Sequence, residues 1–241
     1  MIIQAGGKHF QPLNEEIRAA ADDHITVKQC LGQRYIGCGL SGKTLTIEGT
    51  PGNALGAYLD GCRITVKGNA QDATGDTMND GVIVIRGSAG DATGYAMRGG
   101  KIYVRGNTGY RAGIHMKSYR DKIPLLLVGG CAGSFLGEYQ AGGVIVVLGL
   151  GRPPEEPIVG HFCGTGMHGG HIYLRCSEPP RDLPVQVSVR PAQEEDMTVI
   201  EDCLREYCAT FDLDYDTIRR HPFLVLRPNT KNPYKRLYTS N

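Results

Sequence analysis

The sequence predicts an all-β fold: a single-stranded right-handed parallel β-helix of seven coils, preceded by a short helical segment and followed by a helical extension. Three observations carry that expectation. Glycines recur at 37, 56, 75, 94 and 113, a spacing of nineteen residues. Pairs of aliphatic residues spaced by two follow each of them at a fixed distance, the pattern of a short strand with one buried face. Glycine also fills 34 of 241 positions, about twice its ordinary share of ~7%. With 5 phenylalanines and no tryptophan, such a chain has to build its core from small and aliphatic side chains, which suits stacked repeats.

The leader, residues 1–29, offers a short helix in LNEEIRAAAD at 13–22, with Asn14 as N-cap and acidic residues in the first turn. The repeat body spans 30–178. Three positions after the glycines stand Leu40, Leu59, Met78, Met97 and Met116, and further on come Leu45 and Ile47, Ile64 and Val66, Ile83 and Ile85, Ile102 and Val104. Alternation turns these side chains inward and leaves Thr46, Thr65, Val84 and Tyr103 facing outward. Glycines 49, 68, 87 and 106 close each strand, where a tight bend needs backbone freedom.

Two insertions interrupt the register. One near 118–122 delays the next strand to Leu126 and Val128, after which a coil runs through Gly137, Gln140, Ile145, Val147 and Gly149. Another at 152–159 separates it from the last coil, Gly164, Met167, Ile172, Leu174 and Cys176. Both are expected as surface loops. The extension, 179–241, follows a proline-rich linker and predicts a helix over 192–209 from Met197, Ile200, Cys203, Leu204 and Tyr207, then a short piece at 215–220 and an irregular tail. The flanking helices are expected to cap the two open ends of the stack.

Lys and Arg number 26 against 25 Asp and Glu, a net charge of +1 spread along the chain, so neither nucleic acid nor a membrane surface is an expected partner. MIIQAGGKHF lacks the charged and apolar segments of a signal peptide, and no apolar run is long enough to span a bilayer. A cytoplasmic location is expected. The eight cysteines, without a CxxC pair, read as reduced thiols.

Several motifs invite a catalytic reading. GCGLSGKT at 37–44 satisfies a phosphate-loop pattern, but both glycine-rich signatures need a helix directly afterwards, and LTIEG continues in strand register. His161, Cys163, His168, His171 and Cys176 include metal-ligand types, at spacings that match no closed tetrahedral template. Asp60, Asp72, Asp76, Asp80 and Asp91 lie at coil corners, where aspartate is an ordinary turn residue. Arg98, Arg105, Arg111, Lys117 and Arg120 form either a solvated face or an interface. No nucleophile stands at motif spacing from a base. The expectation is no catalytic, cofactor-binding or metal-binding residue and no cofactor.

GQRYIG, GTPGN, GNAQD, TMNDG, GYAMRGG, GYRAGIHMK, GEYQAGG and GTGMHGG, spread from 32 to 170, resemble the GXGXG domain at the C-terminus of the glutamate synthase large subunit. The same domain is related to one of the subunits of formylmethanofuran dehydrogenase. The resemblance implies a scaffold without catalytic residues of its own, inactive alone and working as a component of a glutamate synthase-type oxidoreductase for glutamate biosynthesis. It implies an FMN/iron–sulfur synthase subunit and a glutamine amidotransferase subunit as partners, with self-association as a further expectation. The alternatives are a scaffold for a formylmethanofuran dehydrogenase-like or other redox complex, and a stand-alone metal protein or enzyme built on the histidine-rich last coil.

Overall fold

The computed structural model describes residues 1–153 and 155–229; the tail at 230–241 lies outside the described residues. The chain runs β1 (Ile2–Gln4), α1 (Phe10–Ala19), β2 (His24–Leu31), β3 (Thr44–Thr50), β4 (Asp60–Val66), β5 (Asp80–Ile85), β6 (Lys101–Val104), β7 (Leu125–Val128), β8 (Ala141–Val147), β9 (Gly169–Leu174), β10 (Val187–Pro191), α2 (Glu194–Phe211), α3 (Tyr215–Arg219) and β11 (Leu224–Pro228).

Register follows the aliphatic pairs. Leu45 stands beside Ile64, Ile64 beside Ile83, Ile83 beside Ile102, and the row continues through Leu126 and Ile145 to Ile172. All seven are fully buried. Each such burial contributes on the order of 1.5–3 kcal/mol. Met78, Met97, Met116 and Met167 from the connections pack into the same core. The corners repeat as well: Asn69 Oδ1 accepts from the Ser88 amide at 2.8 Å, and Ser88 Oγ accepts from the Asn107 amide at 3.0 Å. Gly75 shows why a corner excludes side chains, since its φ is +73° and a Cβ there would lie 2.3 Å from Ile102 Cδ1.

The expectation of a single-stranded right-handed parallel β-helix of seven coils is corrected. Among the described residues the strands form one eleven-stranded sheet in the order β1-β2-β3-β4-β5-β6-β7-β8-β9-β11-β10. Pairing is parallel from β1 to β9 and antiparallel where β11 joins β9 and β10 joins β11. The physical reason lies at the edges. A strand left at the end of a stack presents unpaired N–H and C=O groups, and the flanking segments supply further strands as well as helices.

The helices also depart from expectation. Helix α1 begins at Phe10 with His9 as its cap, whereas Asn14 donates from within the helix to the carbonyls of Phe10 and Arg34 at 2.8 and 3.0 Å. Leu13 and Ile17 enter the main core. Helix α2 does not cap an end. It packs on the outward face of the sheet, where Met197, Ile200, Leu204 and Tyr207 form a second core with Val84, Tyr103, Leu127, Val146 and Tyr173. Val84 and Tyr103, expected to face outward, are therefore buried.

Candidate functional site

The glycine-rich segment 37–44 leads into β3 and not into a helix. Lys43 Nζ donates to the carbonyls of Ala20 and Asp22 at 2.6 and 3.2 Å, so its charge sits at the C-terminal end of α1, where the helix dipole favours a cation. The aspartates are similarly engaged in structure. Asp72 and Asp91 accept from the amides of Asp91 and Tyr110 at 2.9 and 2.8 Å, each capping the next repeat. Asp80 lies 2.9 Å and Asp60 3.8 Å from Lys122, whose ammonium pins the first insertion. A hydrogen bond from Lys122, joined by one from the Gly81 amide, holds the Asp80 carboxyl below its ordinary value. Asp76 accepts from the Thr77 hydroxyl at 2.8 Å.

The histidine and cysteine residues of the last repeat divide. Cys163 is fully buried in the core, and burial pushes its thiol up to about 12. His168 is exposed, while His171 is half-buried with its ring 6.2 Å from that of Tyr173. Among the described residues no group of three or more His, Cys, Asp or Glu is placed to hold a metal ion. His161 and Cys176, by contrast, share a cleft of about 730 Å³ between the second insertion and the chain leaving β9. Burial raises the Cys176 thiol to about 11, which keeps it protonated at neutral pH. His161 Nδ1 is 2.8 Å from Asp182 Oδ2. Arg152, Arg175 and Arg181 line the same cleft, a feature that the spacing of histidines and cysteines did not reveal.

One corner carries two columns of rings. Phe135 lies between Tyr110 and Phe162, at centroid distances of 5.2 and 5.0 Å. His115 lies between Tyr95 and Tyr139, at 5.9 and 5.2 Å. The Arg111 guanidinium sits 4.8 Å above Tyr110, within cation–π range, and its Nε donates to Glu138 at 2.7 Å. Tyr95, Tyr110 and Phe162 are exposed. Phe135 and Phe162 have φ of 61° and 60°, uncommon for bulky residues. Each stands two places before a repeat glycine, so this part of the column is legible in the sequence. Arg98, Lys117 and Arg120 are exposed and Arg105 half-buried; Arg120 lies 5.1 Å from the Tyr119 ring.

A mostly parallel sheet grown from glycine-cornered repeats, with a cleft beside its last repeat and an aromatic corner, belongs to the class of repeat-built proteins. The chain belongs to the GXGXG motif family, which matches residues 18–218. It is 43% identical over 251 residues to the "uncharacterized protein MJ1350" of Methanocaldococcus jannaschii, a match covering 99% of this chain and 96% of the relative. Among solved structures it is similar to a chain of the formyltransferase/hydrolase complex of Methylorubrum extorquens, determined with methylofuran, at a TM-score of 0.60. That match is 21% identical and covers 86% of this chain and 74% of the other, so it speaks to fold. Among the described residues no helix is long and apolar enough to cross a membrane.

Proposed function

We propose that this chain is a non-catalytic assembly subunit that holds other polypeptides together in a multi-subunit complex. The observation that carries the reading is the aromatic corner. Tyr95, Tyr110 and Phe162 are left exposed, with Arg111 over the Tyr110 ring, and exposed aromatics with arginine are the residues that dominate protein–protein interfaces. The fold likeness to a chain of the formyltransferase/hydrolase complex supports a formylmethanofuran dehydrogenase-like or other redox complex as the setting. A second reading, favoured by the glycine motifs from 32 to 170, is the scaffold of a split glutamate synthase. Its partners would be the FMN/iron–sulfur synthase and glutamine amidotransferase subunits.

Co-expression with each class of partner separates the two readings. The true setting yields a complex that co-purifies and whose activity depends on this chain. Phe162→Asn combined with Tyr110→Ser should weaken that complex at least about tenfold, because interface hot spots contribute roughly 2 kcal/mol or more each. Asparagine tolerates the left-handed backbone at 162, so the fold should persist. Failure to associate with either class at micromolar concentration, with both partner sets active alone, would reject the assembly role.

A further inference from the structure

We infer that the cleft beside Arg175 is an oxyanion-binding site, taking the phosphate or carboxylate group of a small molecule. Arg175 follows directly on β9 and is half-buried. Its Nη1 donates to the Leu148 carbonyl at 2.8 Å, whereas its Nε is buried without a hydrogen-bond partner. A buried donor left unmade costs the full desolvation of that group. The charge that acts on Arg175 is another cation, Arg152, and burial together with that repulsion lowers the pKa of its guanidinium. Among the described residues no carboxylate pairs with Arg175 in an ion pair. Arg152 reaches the site from the second insertion, its Nη1 donating to the backbone carbonyls of Pro153 and Glu156. Those contacts orient its guanidinium within the cleft.

The carboxylates of the lining are arranged differently. Glu155, Glu156 and Glu178 are all exposed, whereas Arg152 and Arg175 are both half-buried. The recessed part of the cleft is thus positive and its exposed part mixed. An oxyanion between the two guanidinium groups would relieve the repulsion, and guanidinium geometry matches phosphate and carboxylate alike. At about 730 Å³ the space exceeds a bare phosphate and falls within the ~300–1,000 Å³ of ordinary ligand sites. Burial first and the second cation next both weigh against the charged form of Arg175, a cost that a bound oxyanion would offset.

The test is calorimetric titration of the full chain with inorganic phosphate and, separately, with malonate, beside thermal melts in each anion. At least one anion should give saturable heat at millimolar concentration and raise Tm. Preference for phosphate assigns a phosphate ester and preference for malonate a carboxylate. Arg175→Met keeps the unbranched stem, and it should lower affinity at least about tenfold, the loss expected for a charged hydrogen bond. Arg175→Lys should recover part of it. Where Arg175→Met does not fold, Arg152→Met is held to the same tenfold criterion. Absence of saturable binding by either anion overturns the assignment, as does equal affinity in the wild-type and substituted chains.

Discussion

Gln140 occupies a column that elsewhere holds Met78, Met97, Met116 and Met167, and like them it is fully buried. Its Nε2 donates to the carbonyls of Gly142 and Gly143 at 3.2 Å each, while Oε1 has no partner. An unmade buried acceptor costs about 1–3 kcal/mol, and methionine, which brings no acceptor to leave unmade, has nearly the same shape. Gln140→Met should therefore raise Tm by about 2–4 °C, corresponding to roughly 1 kcal/mol in a chain of this size. A lower Tm would show that the amide holds the 142–143 bend. Gly75→Val is the opposite case. Left-handed φ and a Cβ 2.3 Å from Ile102 Cδ1 should cost roughly 3 kcal/mol or more, read from denaturant midpoints. Val84→Thr, which an outward position would tolerate, should cost about 1–3 kcal/mol because it buries a hydroxyl under α2. The glycine corners are legible in advance, since a missing Cβ is visible in the letters. The letters do not say what lies above an outward residue.

Helix α2 makes that difference at the level of elements. Its apolar stripe at Met197, Ile200, Leu204 and Tyr207 predicts one buried face, yet a stripe does not name the surface it meets. The missing half of the signal lay in the strands. Thr46 and Thr65 keep the polar alternation expected of an open face, whereas Val84, Tyr103, Leu127, Val146 and Tyr173 break it, and these five are the residues α2 covers. The docking is fastened at its centre. Tyr207 donates its hydroxyl to the Val104 carbonyl at 3.0 Å, and Glu206 accepts from Lys101 at 2.5 Å and from Tyr103 at 2.9 Å. Since the Val104 carbonyl also accepts from the Gly129 amide at 2.8 Å, Tyr207→Phe should cost only about 1 kcal/mol. Burial pushes the Glu206 carboxyl up, but the hydrogen bonds from Lys101 and Tyr103 outweigh it and leave the group below its ordinary value. A carboxylate depressed in the folded state stabilises the fold above the unfolded pKa of about 4.3. That contribution is lost as pH falls through the lower, folded value. Stability measured from pH 7 down to about 3 should fall less steeply in Glu206→Gln than in the wild-type chain; parallel curves would show that the contact carries no charge dependence.

For the whole molecule, the consequence is that the segment after 178 completes the fold. It supplies β11, which pairs with the last parallel strand β9, and β10 beyond it. It also supplies α2, which covers a sheet face that is otherwise apolar from β5 onward. A chain ended at 178 would leave the β9 edge unpaired, a template for strand addition by another copy. It would also expose Val84, Tyr103, Leu127, Val146 and Tyr173 together, a contiguous apolar patch of the kind that drives association. The parallel pairings from β1 to β9 would all remain in such a chain, so its residual structure should still be rich in strand. The expected result is a product that keeps a β-type circular dichroism spectrum, binds a hydrophobic dye and elutes as large aggregates instead of a monomer. Co-expressing residues 179–241 as a separate polypeptide should reverse both properties, because α2 and β11 bring their own apolar stripe and strand edge to the same surfaces. A shortened chain that melts cooperatively, stays monomeric and ignores the dye would show that α2 is an accessory on the sheet. The opposite result would make the covered face as much a part of the folding unit as the glycine-cornered repeats beneath it.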